Sequence, residues 1–170
     1  KLGFSCPKDN RARERLMGIM SEVVEASPTE RKDGVHVSWS SKELVELFVT
    51  NGFVGEAIDK RVPGWVWSLP EEQRVAFVSG YIDADGTVKE GRIDIKSVNK
   101  TLLEDVASLL VTLGITSRLF TEFSESREVI IQGYKTVAHG SYRLSFEIDG
   151  RFERYIAGVL VDKIKQVSPK

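Results

Sequence analysis

The chain has 170 residues, 41% hydrophobic and 29% charged, with a net charge of −1, a balance that excludes disordered and collagen-like polymers. A chain of this length buries about two thirds of its unfolded surface and needs neither disulfides nor structural zinc to hold a core. The single cysteine, Cys6, has no internal partner and no Cys/His set has zinc spacing. With no apolar run of membrane length and no signal peptide, an intracellular, cytoplasmic location is expected.

A strand is expected over about residues 1–6, then a helix from Asn10 to Glu25 with Leu16, Ile19, Met20, Val23 and Val24 on one face. The run Asn10 to Arg15 reads as the exposed side of that helix. Alternation over Val35–Trp39 predicts a strand. Lys42 to Val49 returns to helical spacing through Leu44, Val45, Leu47 and Phe48, with Ser40 or Ser41 as the cap. Lys60 to Pro70 holds two prolines and a glycine, a turn-rich connector that Trp65 and Trp67 are expected to anchor to the core. Ser68 followed by Glu71 is a capping-box pattern and predicts a helix running toward Asp83. Strands follow at Arg92–Lys96, Glu128–Gln132 and Tyr142–Phe146. Between them lies an apolar helix from Leu102 to Leu113 that stops at Gly114, and a last helix starts near Gly150.

The order of these elements repeats. Strand, helix, strand, helix and an apolar turn (Asn51-Gly-Phe-Val, then Ala157-Gly-Val-Leu) occur twice, each set trailed by a lysine, Lys60 and Lys163. A duplicated α+β fold is the expectation.

On the central helix, Ala76, Gly80 and Ala84 recur every fourth residue and form a stripe almost free of side chain, open to close approach by another helix. Glycine in mid-helix costs roughly 1 kcal/mol relative to alanine, so close packing is the expected compensation. The helix ends in Asp83-Ala-Asp-Gly86, two carboxylates set against the negative end of the macrodipole. Either they solvate a turn with Gly86 at positive φ, or a bound divalent cation offsets their charge; hard carboxylate oxygens suit magnesium.

The segment Val78-Ser-Gly-Tyr-Ile-Asp-Ala-Asp-Gly86 is similar to the LAGLIDADG motif, matching it at Gly80, Ile82, Asp83, Ala84, Asp85 and Gly86. Asp59-Lys-Arg-Val-Pro-Gly-Trp-Val-Trp67 before it and Ser97-Val-Asn-Lys-Thr-Leu-Leu-Glu-Asp105 after it resemble the intein-embedded, DOD-type branch of the LAGLIDADG homing endonucleases. The resemblance implies two pseudo-symmetric αββαββα halves whose antiparallel sheets form a DNA-binding saddle, a first and incomplete half over 1–66 and a second over 67–170. It implies phosphodiester hydrolysis with Mg2+, Asp85 being the metal-binding carboxylate and Asp83 a helix-end residue. Asn99 falls where a polar residue positions water, with Asp9 as its first-half counterpart. Lys60 and Lys163 match lysines that offset charge near each scissile phosphate, with Lys165 an alternative to Lys163. For contact with double-stranded DNA, the strands offer Arg92, Lys96, Arg118, Gln132 and Lys135, side chains suited to base edges and phosphates.

Two features depart from the family pattern. The first half carries no LAGLIDADG helix, so the partner of the small-residue stripe is expected from an upstream segment of the same precursor, a complementary fragment or a second copy. The splicing residues of an intein are absent, so no splicing is expected. The leading expectation is the site-specific double-strand DNA endonuclease portion of an intein. The alternative, which the acidic balance favours, is a degenerate, cleavage-inactive domain of the same fold that binds DNA or scaffolds an intein.

Overall fold

Two antiparallel sheets, each with helices on one face, and a separate two-stranded hairpin make up the computed structural model, which describes residues 1–6, 8, 10–123, 127–131, 133–138 and 140–156. The first sheet has the order β1-β3-β2, from β1 (Leu2–Ser5), β2 (Thr29–Glu30) and β3 (His36–Trp39), with Leu2 opposite Trp39 and Thr29 opposite Ser38. Alternation in β3 turns Val37 and Trp39 inward, where Met20 of α1 (Arg11–Val23) and Leu44 of α2 (Lys42–Thr50) complete a small core. Asn10 caps α1 by accepting the Ala12 N–H at 2.9 Å. Ser41, not Ser40, caps α2 by accepting the Leu44 N–H at 3.0 Å.

The second sheet, of order β4-β5-β9-β6, is larger. Its strands are β4 (Gly86–Lys89), β5 (Arg92–Ser97), β6 (Ser117–Phe123) and β9 (Ser141–Glu147). β7 (Arg127–Ile131) and β8 (Tyr134–Ala138) form a separate hairpin between β6 and β9. One face of the large sheet sends Ile93, Ile95, Leu144 and Phe146 against α3 (Glu71–Asp85) and α4 (Lys100–Val111). α4 supplies Leu103, Val106, Leu109 and Leu110 at helical spacing. It ends as the sequence predicts, with Gly114 at φ +74 and the Ile115 N–H returning to the Leu110 carbonyl. A 3-10 turn at Gly150–Arg154 buries Phe152 where a helix is expected to start.

The duplication is visible in the topology. β1, α1, β2 and β3 occur in the same order and sheet arrangement as β5, α4, β6 and β9, and both helices are capped by asparagine, Asn10 and Asn99. Asn10 is therefore the counterpart of Asn99; Asp9 lies outside the described residues. β4 covers the outer edge of β5, whereas its counterpart β1 is the edge of its own sheet.

Several sequence expectations are corrected. Ile19, Val23 and Leu47 have helical spacing but are exposed, because the apolar faces of α1 and α2 are wider than the small sheet beneath them. Arg13, expected on the outer side of α1, is buried: its guanidinium donates to the Cys6 carbonyl at 2.7 Å and pairs with Glu30 at 2.7 Å. In the 3-10 turn Gly64–Ser68 it is Val66 that enters the core, while Trp65 is 42% exposed and donates its indole N–H to the Asn51 carbonyl. The capping box does not form. Pro70 is the residue before α3, and its fixed φ starts the helix after Ser68 has already closed the preceding turn. Among the described residues no helix is long and apolar enough to cross a membrane.

Candidate active site

The chain passes from α3 into β4 without a loop, and Asp85 is the last helical residue. Gly86 makes this possible through close approach and not through positive φ: its φ is −82, and a Cβ there would stand 2.5 Å from the Ile82 carbonyl oxygen. Asp85 is thus fixed at the helix end while Ile82, one turn back, is fully buried. The carboxylate reaches solvent, yet the protein packed against it pushes its pKa up, and the Lys60 ammonium works in the opposite direction. Tyr81 beside it is pushed up to about 12, by burial first and then by the charge of Asp85, against a hydrogen bond with Ser97.

Lys60 is exposed on the connector, and the segment that bears it is tied down by two residues of α4 and its cap. Asn99, only 2% exposed, accepts the Leu102 N–H at 2.9 Å and donates its amide to the Lys60 carbonyl at 2.7 Å and the Ala57 carbonyl at 3.1 Å. Asp105 takes two hydrogen bonds from Arg61, at 2.6 and 2.8 Å, and a third from the Val62 N–H at 3.1 Å. That bidentate pair holds the Asp105 carboxyl below the usual carboxylate range. Asn99 is thereby brought to the site through the Lys60 backbone, its amide spent on that task. Arg61 and Asp105 are site-supporting residues that no local spacing signals, being 44 positions apart. Lys163 lies outside the described residues.

Among the described residues no three carboxylate, histidine or cysteine side chains converge as a metal-ligand set. Asp85, at the negative end of its helix, is placed to suit a cation, and it would be one ligand among waters and substrate oxygens. That is the ordinary habit of magnesium, which binds through one or two carboxylates and keeps several waters.

The stripe Ala76, Gly80 and Ala84 faces a groove of about 790 Å³ that also takes in Asp83 and, from the first half, Phe4, Leu16 and Ile19. A Cβ added at Gly80 meets nothing within 4 Å. Ile19 of α1, which misses the small core, therefore looks toward the bare flank of α3.

The face of the large sheet away from its helices carries the charged alternates. Arg92, Lys96 and Arg118 all lie there, and Lys135 is exposed on β8; Gln132 is outside the described residues. Arg92 donates to the Ser145 hydroxyl at 3.0 Å, and Lys96 pairs with Glu122 at 2.9 Å. His36, without an expected role, pairs with Asp33 at 2.6 Å.

This arrangement has counterparts. Residues 72–147 match the family model of a LAGLIDADG-like domain. A DNA polymerase of Thermococcus sp. (strain GE8) is 32% identical over 133 residues, covering 74% of this chain and 8% of that protein. An iron-sulfur cluster assembly SufBD family protein of Mycobacterium leprae (strain TN) is 32% identical over 117 residues, 68% of this chain and 13% of that protein. A probable translation initiation factor IF-2 of Thermococcus kodakarensis is 30% identical over 95 residues, 55% of this chain and 8% of that protein. The chain thus spans 13% or less of these relatives. Among solved structures, mesophilic variants of the homing endonuclease I-DmoI superpose with a TM-score of 0.59 at 19% identity, over 91% of this chain and 78% of that one. I-DmoI in complex with DNA and Mn gives 0.58 at 18% identity, over 99% and 81%. The fold is the LAGLIDADG homing-endonuclease fold. With its motif helix inside that match, residues 72–147 form a LAGLIDADG-like domain.

Proposed function

We propose that this chain is the endonuclease portion of an intein, cutting both strands of a specific DNA site with Asp85 as a metal-binding carboxylate. The observation that carries the reading is Asp85 itself, a carboxylate held at the negative end of α3 with raised proton affinity and the Lys60 charge nearby. Relatives named for a polymerase, an iron-sulfur assembly protein and a translation initiation factor share a small piece resembling this chain. A common piece within such different hosts fits an inserted element better than any host activity.

Bound magnesium would supply a water of lowered pKa and offset negative charge at phosphorus. The chain's own residues do the rest. Asp85 anchors the cation, and the Lys60 ammonium steadies charge on the scissile phosphate. Lys163 takes the same role in the second half, over 67–170. Asn99 and Asp105 keep the Lys60 segment in place. Arg92, Lys96, Arg118, Gln132 and Lys135 contact the duplex. The groove beside α3 receives the missing LAGLIDADG helix of the first half, over 1–66, from an upstream segment of the same precursor, a complementary fragment or a second copy.

A cleavage-inactive domain of the same fold is the second reading, favoured by the net charge of −1. Binding of the full-length protein to duplex DNA spanning an uninterrupted insertion site, at low and physiological salt, tests the shared premise. A steep loss of affinity with salt is expected from phosphate contacts; no binding at low salt contradicts the nuclease and leaves only an intein scaffold.

A further inference from the structure

We infer that Arg143 is a specificity-determining residue that reads a guanine in the major groove, an assignment that rests on the DNA-binding reading above. Arg143 sits in the middle of the outer sheet face, paired across the strands with Lys96 of β5 on one side and Phe120 of β6 on the other. Its neighbours Leu144 and Phe146 point into the core, so the side chain stands on the opposite face, away from α3 and α4.

Three contacts from two strands hold the guanidinium. Its Cζ lies over the Phe120 ring, 4.4 Å from the centroid. Nε meets Glu122 at 3.3 Å, and Nη1 meets both Asp94 oxygens at 3.4 Å. The side chain is 28% exposed, so its outer edge remains accessible. An arginine in free solution loses several rotatable bonds on binding; one stacked on an aromatic ring and braced by carboxylates has already lost them. The same braces act against loose phosphate binding, because Asp94 and Glu122 place negative charge beside the exposed edge. Lys96, also on Glu122, is partly neutralised in the same way. A planar fork with fixed direction and reduced net charge suits the paired O6 and N7 acceptors of guanine better than a phosphate.

Selection from a random duplex library by the full-length protein, with thermal unfolding of each variant, tests this. Wild-type protein should enrich a motif with one position at which guanine is preferred. In Arg143→Ala the preference there should fall by about tenfold or more, other positions and the unfolding temperature being kept. Arg143→Gln, which keeps a planar amide on a stem of similar direction, should shift that position toward adenine and carries the test if the alanine variant folds poorly. An unchanged motif in both variants overturns the inference. So does a uniform loss of affinity at every position with a shallower salt slope, the signature of a phosphate contact. If the wild type itself enriches no motif, the site-specific DNA reading fails first and this inference with it.

Discussion

Asn99 illustrates how one side chain can tie two elements together at once. Its carbonyl oxygen caps α4 and its amide holds two carbonyls of the connector, one of them that of Lys60. Asn99→Ala should therefore cost about 1–2 kcal/mol from the lost cap alone, measurable by urea unfolding. Asn99→Asp keeps the capping oxygen but sets a buried carboxylate oxygen against the two connector carbonyls, so neither stability nor cleavage should be regained; restored cleavage would exclude the positioning role. Asp85 and Asp105 respond to pH in opposite senses. Burial raises the Asp85 pKa in the folded state, so folding is hindered by its ionisation and stability falls as pH rises through the range above the ordinary carboxylate value. Asp105 is depressed by Arg61, so its contribution is present above the ordinary value and is lost as pH falls below it. Asp85→Asn should accordingly raise the Tm of metal-free protein near neutral pH, and a lowered Tm would contradict this picture of the site.

At the scale of elements, α3 separates residues that serve the chain from residues that face the groove. Gly86 serves the chain: Gly86→Ala would press a methyl group against the Ile82 carbonyl and should destabilise by about 1–3 kcal/mol. Gly80 does not. Nothing lies near its missing Cβ, so Gly80→Ala should stabilise the isolated chain by about 0.5–1 kcal/mol through helix propensity. Gly80→Leu should leave the 170-residue chain folded, yet prevent it from packing with a LAGLIDADG-motif helix supplied as a peptide, in a pull-down or calorimetric titration. Binding of that peptide unimpaired by leucine would show that the groove is not its seat. Wild-type chain that self-associates with leucine-sensitive affinity, and ignores the peptide, would instead favour a second copy.

For the whole molecule, the fold was legible wherever local chemistry broke an ordinary rule. Two aspartates at a helix C-terminus, and a glycine within a stripe of alanines, stand out in any sequence because both are unfavourable without a partner. β5 and α4 were legible through period, as each buries one clean face, and β9 through its alternating sequence although Ser145 on its outer side is buried as well. What period could not show was the destination of a face: Ile19 has the same spacing as Met20's core neighbours but looks into the groove. Nor could spacing show contacts that the topology creates, such as Asn99 on a carbonyl 39 residues away or Arg61 on Asp105. Arg143 reads as one more strand residue until three strands come into register around it. Net charge misleads for a related reason. It sums carboxylates such as Asp94 and Glu122 with the cations they brace, and says little about how a single face meets a duplex.

Whether Asp85 works in a magnesium-dependent nuclease centre is decided by cleavage of DNA carrying the uninterrupted insertion site. Full-length protein is compared with its Asp85→Asn variant, with and without Mg2+. Double-strand cleavage should require the metal and be lost in the variant while the DNA is still bound. Cleavage undiminished by Asp85→Asn, or none by a wild-type protein that binds the site with magnesium present, would show that Asp85 has no such role.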